Sequence, residues 1–200
     1  IDATSGAGSK AVDASIYDMY YFSLQKSFSS EGGLVFALCS PKMIERIQKV
    51  DRFAPAILDL KTTVENSRLH QTLNTPALST LILADAQLNW MLENGGMSFC
   101  EKRCSDSSSQ LYNWADSNEL TNPFVKDESL RSLVSVTIDI DEKIDFEDVV
   151  AALRANGIVD CDPYRKLGKN QIRIATFPSV DPSDVSQLIK CLDYVIEKIG

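Results

Sequence analysis

Three changes of hydrophobic period near the end of the chain restrict its fold more than any other feature. "SLVSVTIDI" (132–140) alternates as a strand does, and so does "QIRIATF" (171–177). Between them "DFEDVVAALRANG" (145–157) reads as a helix, with Asp145 as N-cap and Gly157 as stop. "DPSDVSQLIKCLDYVIEKIG" (181–200) reads as a closing helix, capped by Asp181 with Pro182 at its first position. A strand–helix–strand–helix order belongs to α/β architectures, where each helix buries its apolar stripe against a sheet. The expected fold class is therefore α/β.

Upstream, "YYFSLQ" and "GGLVFALCS" read as short buried strands, joined by the loop "SSEGG" (29–33). "SPKMIERIQKV" begins a helix, with Ser40 as cap and Pro41 in the first turn. "VENSRLHQTLNTP" (64–76) has no clean period and reads as loop. "ALSTLILADAQLNWMLENGG" (77–96) reads as an amphipathic helix with Leu78, Leu81, Ile82, Ala86, Leu88 and Met91 on its apolar face, ended by Gly95 and Gly96. "FCEKRCSDSSSQLYNWADSNEL" continues helically with a polar interruption. The expected division is a strand-rich part over 1–95 and an α/β part over 96–200. No internal repeat stands out.

The net charge of −8 disfavours a nucleic-acid partner, which needs a basic footprint. No apolar run approaches the length of a membrane span, and no signal-peptide pattern is read. Cys39, Cys100, Cys104, Cys161 and Cys191 are odd in number and irregularly spaced, and His70 is the sole histidine. Zinc spacing is absent, so free thiols in a reducing cytosol are expected, with Cys39 of "GLVFALCS" in the core. The chain opens at Ile1 and runs straight into "IDATSGAG", as if it began in the middle of a longer polypeptide.

Lys26 carries the first chemical question. It follows the aromatic run "YYFSLQ" and precedes a Ser/Gly loop. Such a lysine is either a strand-end charge reaching water or a partly desolvated, reactive amine, whose obvious use is an imine with an aldehyde cofactor. Asp2 reads most simply as an N-cap or loop carboxylate, and Gly6-Ala7-Gly8 lacks the third glycine of a dinucleotide fingerprint. Arg68, His70, Asn74 and Thr75 form either a solvated polar loop or a set of phosphate or carboxylate donors. Arg165, Lys166, Lys169 and Arg173 make a basic cluster in an acidic chain. By alternation Arg173 shares a strand face with Gln171 and Ala175, opposite Ile172 and Ile174. It is either a solvated strand residue or a planar fork for a carboxylate.

"IDATSGAGSKAVDASIYDMYYFSLQKSF", "NTPALSTLIL" and "PYRKLGKNQIRIATFPSVDPSDVSQLIKCLDYVIEKIG", in that order, resemble the second half of the phosphoserine aminotransferase family, fold-type I enzymes dependent on pyridoxal 5'-phosphate. The resemblance covers nearly the whole chain and includes the spacing of Asp2 and Lys26. It implies the C-terminal part of a large mixed-sheet, cofactor-binding domain over 1–95 and a small C-terminal α/β domain over 96–200. Lys26 would bond the cofactor aldehyde and shuttle the substrate Cα proton. Asp2 would pair with the pyridine nitrogen, keeping the ring an electron acceptor.

Gln25 would contact the cofactor phosphate, and Asn74 and Thr75 would reach the phosphate of the cofactor in a partner subunit, making a homodimer with a shared active site. Arg173 would grip the substrate α-carboxylate and Arg165 the substrate phosphate. This chain has Pro163-Tyr164-Arg165 where the family often has Gly-His-Arg, which brings in His70 and Arg68 as further phosphate ligands.

The implied reaction is reversible amino transfer between phosphoserine and 2-oxoglutarate, giving 3-phosphohydroxypyruvate and glutamate. It belongs to serine biosynthesis, also serves pyridoxine biosynthesis, and takes place in the cytoplasm. An N-terminal half, in this polypeptide or another, is expected to complete the sheet. The alternatives are a related aminotransferase of serine or alanine with glyoxylate or pyruvate, and an inactive fragment.

Overall fold

The structure, a computed structural model, describes residues 1–164 and 166–199. These form two compact units: 1–7 with 11–93, and 8–10 with the chain from Asn94 onward.

The first unit is built on the antiparallel pair β1 (Met19–Ser23) and β2 (Val35–Cys39), with Tyr21 opposite Ala37. On the other side of β1, Asp2 makes a parallel bridge to Tyr21, closed by Ala3 N donating to Tyr21 O at 2.8 Å and Tyr21 N to Ile1 O at 3.1 Å. Three helices follow: α1 (Pro41–Lys49), α2 (Leu60–Arg68) and α3 (Leu78–Glu93). The Ser40 hydroxyl accepts from Met43 N at 3.0 Å, so α1 starts where its cap and Pro41 place it.

Three expectations for this unit need correction. β2 is a strand but not a buried one: Val35 is 71%, Phe36 42% and Leu38 54% exposed, and Cys39 is half-buried rather than in the core. An apolar run signals a strand covered on both faces, and a sheet of two strands covers neither face of its outer member.

Residues 64–68, read as loop, belong to α2. Asp59 caps that helix through Lys61 N at 2.9 Å, and Asn66 Nδ2 donates to Thr62 O at 2.8 Å. None of the residues of α2 is buried, so it has no apolar stripe for a periodicity argument to detect.

On α3 the buried residues are Thr80, Ala84 and Met91, whereas Leu78, Ile82 and Leu88 of the expected face are exposed. The helix is apolar nearly all round, so pattern alone could not choose the face. Hydrogen bonding accompanies the choice: Ser30 Oγ donates to Thr80 O at 2.6 Å.

The second unit has α4 (Gly96–Ser117), β3 (Thr121–Pro123), β4 (Ser135–Ile140), α5 (Phe146–Ala155), β5 (Gln171–Ala175) and α6 (Pro182–Ile199). The sheet order is β3-β4-β5, antiparallel throughout, with Arg173 opposite Thr137. Leu111, Ile138, Val149, Ile172 and Leu192 are fully buried in one core. The short β3 was not anticipated.

The expected polar break in α4 does not occur. Ser107 and Ser108 are buried within the helix, and Ser186 Oγ of α6 donates to Gln110 Oε1 at 2.5 Å. Asp145 caps α5 through Glu147 N at 2.9 Å. Asn170 fixes the entry to β5: its Nδ2 donates to Ile144 O at 2.7 Å and its Oδ1 accepts from Phe146 N at 2.9 Å. Among the described residues no helix is long and apolar enough to cross a membrane.

Candidate active site

The bridge between Asp2 and Tyr21 fixes where two functional side chains emerge. Asp2 leaves the bridge on one side of β1, and the chain of β1 itself continues to Gln25 and Lys26. Beyond the strand, Ser29 N donates to Lys26 O at 2.9 Å and Ser30 N to Leu24 O at 3.1 Å, folding residues 24–30 into a tight loop. Ser29 adopts φ 47°, a left-handed conformation that this closure imposes on a non-glycine residue. Leu24, Ser27 and Phe28 are buried, so the loop is anchored on its inner side while Lys26 remains half-buried. The Lys26 amine donates to Ser5 Oγ at 2.5 Å.

Asp2 is held as an anion. Thr4 N donates to its Oδ1 at 3.0 Å and Thr4 Oγ1 to the same oxygen at 2.7 Å. These bonds, the backbone one foremost, hold its carboxyl below the ordinary carboxylate range. The Tyr21 hydroxyl and the Lys26 charge act in the same direction. Both Thr4 bonds fall on Oδ1 alone. Ser23 Oγ donates to Gln25 Oε1, so the amide oxygen of exposed Gln25 is occupied and its N–H groups are the donors left to offer. Ser27, fully buried beside Lys26, has a hydroxyl without a partner among the described residues. Asp2, Gln25 and Lys26 are named from the sequence; Thr4, Ser5 and Ser27 are not, because their partners depend on the loop's closure.

His70, Asn74 and Thr75 line a second depression of about 970 Å³ with Gln71 and Thr72. His70 has φ 57° at the end of α2, and Thr72 Oγ1 donates to Asn74 O at 2.5 Å. Arg68 is exposed on the last turn of α2 and is not part of that lining. Neither Asp2 nor Lys26 lines it, so these loop residues are grouped with each other and not with the lysine.

In the second unit, Arg173 sits on β5 on the face opposite the buried Ile172 and Ile174, with its guanidinium 5.6 Å from the Tyr164 ring centroid. It has no carboxylate partner among the described residues, in contrast to Arg103, Arg131 and Arg154, each paired with an aspartate. Arg165 lies outside the described residues. Tyr164, Lys169 and Asn170 line a depression of about 690 Å³ together with Glu142, Asp145 and Asp162.

The aminotransferase class-V family profile matches residues 1–159, and the chain belongs to that family. Within it the chain is 50% identical over 203 residues to a phosphoserine aminotransferase of Rhodococcus jostii (strain RHA1), covering 100% of this chain and 54% of the relative. It is 50% identical over 200 residues to that of Corynebacterium glutamicum (strain R), covering 98% and 53%. The chain thus spans about half the length of the curated relatives it matches.

Among solved structures it superposes on a phosphoserine aminotransferase of Cytophaga hutchinsonii ATCC 33406 with TM-score 0.85 at 24% identity, covering 100% of this chain and 54% of that one. For the enzyme of Bacillus circulans subsp. alkalophilus the TM-score is 0.86 at 20% identity, covering 100% and 53%. At these identities the likeness is one of fold, the α/β fold of the fold-type I aminotransferases.

Pyridoxal 5'-phosphate is the cofactor that goes with this family. The residues present fit it. Lys26 offers a half-buried amine, Asp2 a carboxylate held as an anion, Gln25 an amide, and Ser27 a buried hydroxyl without a partner among the described residues.

Proposed function

We infer that this chain is part of a phosphoserine aminotransferase, which transfers an amino group reversibly between phosphoserine and 2-oxoglutarate to give 3-phosphohydroxypyruvate and glutamate in serine biosynthesis. The observation that carries the reading is an anionic Asp2 bridged to β1 with a half-buried Lys26 just past the end of that strand, near enough for its charge to bear on Asp2. The 50% identity to enzymes of that name supports the substrate class.

When bound, the cofactor supplies an aldehyde for the amine and an electron-accepting ring. Asp2 would hold a proton on the ring nitrogen through its carboxylate, because a carboxylate kept anionic by Thr4 is a steady partner for a cation. Lys26 Nζ would hold the cofactor and carry the proton taken from substrate Cα. The Gln25 amide would bind the cofactor phosphate.

Arg173 would take the substrate α-carboxylate. An arginine without a carboxylate partner keeps its fork available, and the Tyr164 ring limits its rotation. Arg165, with His70 and Arg68, would bind the phosphate of phosphoserine. Asn74 and Thr75 stand apart from Lys26, which suits a role toward the cofactor of a partner subunit in a homodimer. In this reading residues 1–95 belong to the large cofactor-binding domain and 96–200 to the small one, and the enzyme works in the cytoplasm. An N-terminal half would cover β2, whose apolar residues are exposed here.

The test is the visible absorption spectrum of the full-length protein before and after amino donors are added. A yellow band that bleaches with phosphoserine and not with serine or alanine supports the reading. Bleaching by serine or alanine alone would move the protein to a small-substrate aminotransferase of the same fold. A protein that stays colourless with added pyridoxal 5'-phosphate would sink the catalytic reading.

A further inference from the structure

We propose that Ser5 is a positioning residue for Lys26, its hydroxyl oxygen holding the lysine amine beside Asp2 whenever that amine is not bonded to the cofactor. The inference rests on the function proposed above and adds to it a residue whose hydroxyl accepts from the lysine.

Lys26 Nζ donates to Ser5 Oγ at 2.5 Å, across 21 positions of sequence. Among the described residues no carboxylate lies within ion-pair distance of Lys26, although Asp2 is near enough for the lysine charge to bear on its ionisation. The reason is local. Asp2 Oδ1 is taken twice by Thr4, through N–H and hydroxyl, and the amine is drawn instead to the next residue of the same turn. Asp2 and Lys26 therefore stay close without neutralising one another. A direct pair would engage both groups that the reaction needs free.

The turn that presents Ser5 is a firm support. Gly6 N and Ala7 N both donate to Ala3 O, at 3.1 and 2.8 Å, and Ala3 and Ala7 are buried. Ser5 itself is exposed, so its side chain contributes nothing to the packing of the turn. A neutral hydroxyl is also a suitable partner for an amine that must come and go. A charge-assisted bond to a carboxylate is stronger and releases the amine less readily. Amino transfer requires the lysine to leave the cofactor when the substrate amine replaces it, and to return afterwards. A long flexible side chain held near its point of return is pre-organised for that capture.

The experiment uses full-length protein stripped of cofactor, in wild-type, Ser5→Ala and Ser5→Thr forms. Three quantities are read: the rate at which pyridoxal 5'-phosphate is captured, followed by absorbance; the affinity for pyridoxamine 5'-phosphate, which has no aldehyde and cannot bond the lysine; and the site of the adduct after borohydride reduction and peptide mapping. The expected result is capture slowed about tenfold in Ser5→Ala, restored in Ser5→Thr, with unchanged pyridoxamine phosphate affinity and the adduct on Lys26. Wild-type capture by Ser5→Ala with the adduct on Lys26 overturns the role of Ser5 and leaves the functional reading standing. A parallel loss of pyridoxamine phosphate affinity also overturns it, because Ser5 would then act on the fold or the cofactor. An adduct on another lysine overturns the functional reading, and this proposal with it.

Discussion

Arg103 of α4 donates from Nη2 to Asp181 Oδ2 at 2.8 Å, while the other oxygen of Asp181 accepts from Ser183 N at 2.8 Å and Ser183 Oγ at 2.7 Å. One carboxylate thus caps α6 with one oxygen and ties α4 to it with the other. Arg103 Nε adds a bond to Pro178 O at 2.6 Å.

That arrangement holds the Asp181 carboxyl far below the ordinary carboxylate range, chiefly through the Ser183 bonds and then through Arg103. Folding therefore favours the anion, and its contribution is complete above the ordinary value of 3.8 and is lost as pH falls below it. The protein is expected to lose stability in that acid window. Asp181→Asn should be less stable than wild type at neutral pH and should show a flatter acid limb. Urea midpoints measured as a function of pH check this, and parallel curves for the two proteins would contradict it.

Asp2→Asn keeps an oxygen for Thr4 but removes the charge. In full-length protein the variant should still capture cofactor through Lys26, while kcat falls by about a hundredfold or more, the scale on which fixed charges at a reacting centre act. Single-turnover kinetics with phosphoserine separate the two effects. A variant within about threefold of wild type in kcat would remove Asp2 from the chemistry.

Arg173→Lys replaces a planar fork with a point charge. The expected outcome is a KM raised about ten- to a hundredfold for phosphoserine and glutamate alike, since both present an α-carboxylate. A defect confined to phosphoserine would assign Arg173 to the phosphate instead.

The thiols of Cys100, Cys104 and Cys161 are buried, and burial pushes Cys104 up to about 12 and Cys161 to about 11. Thiolate is the reactive form, so these three should resist alkylation near neutral pH in the native protein and react fully in denaturant. Mass spectrometry of the labelled peptides reads this directly. Early labelling of Cys104 would show that α4 opens locally.

Elements with caps and a single apolar stripe were legible in the sequence. Asp145, Asp181 and the alternation around Ile138 and Ile172 sufficed for β4, α5, β5 and α6. α2 was missed because a helix with no buried residue leaves no periodic trace, and the face of α3 because its apolar residues surround it. In the site, Lys26 was marked by its place after an aromatic strand. Ser5 was not, since a serine in a glycine-containing turn looks the same whether or not an amine lies against it. Its partner is fixed by the bridge of Asp2 to β1, a contact between distant positions that no local pattern records.

The exposed outer edge of β2 has a consequence for the handling of this polypeptide. On that edge the main chain of Val35 and Ala37 faces away from β1, beside the exposed side chains of Val35, Phe36 and Leu38, a template on which another copy's strand can add. Expressed as these residues alone, the chain is expected to precipitate or enter inclusion bodies. Recovery in the soluble fraction on co-expression with a candidate covering segment then becomes a simple assay for what occupies that edge.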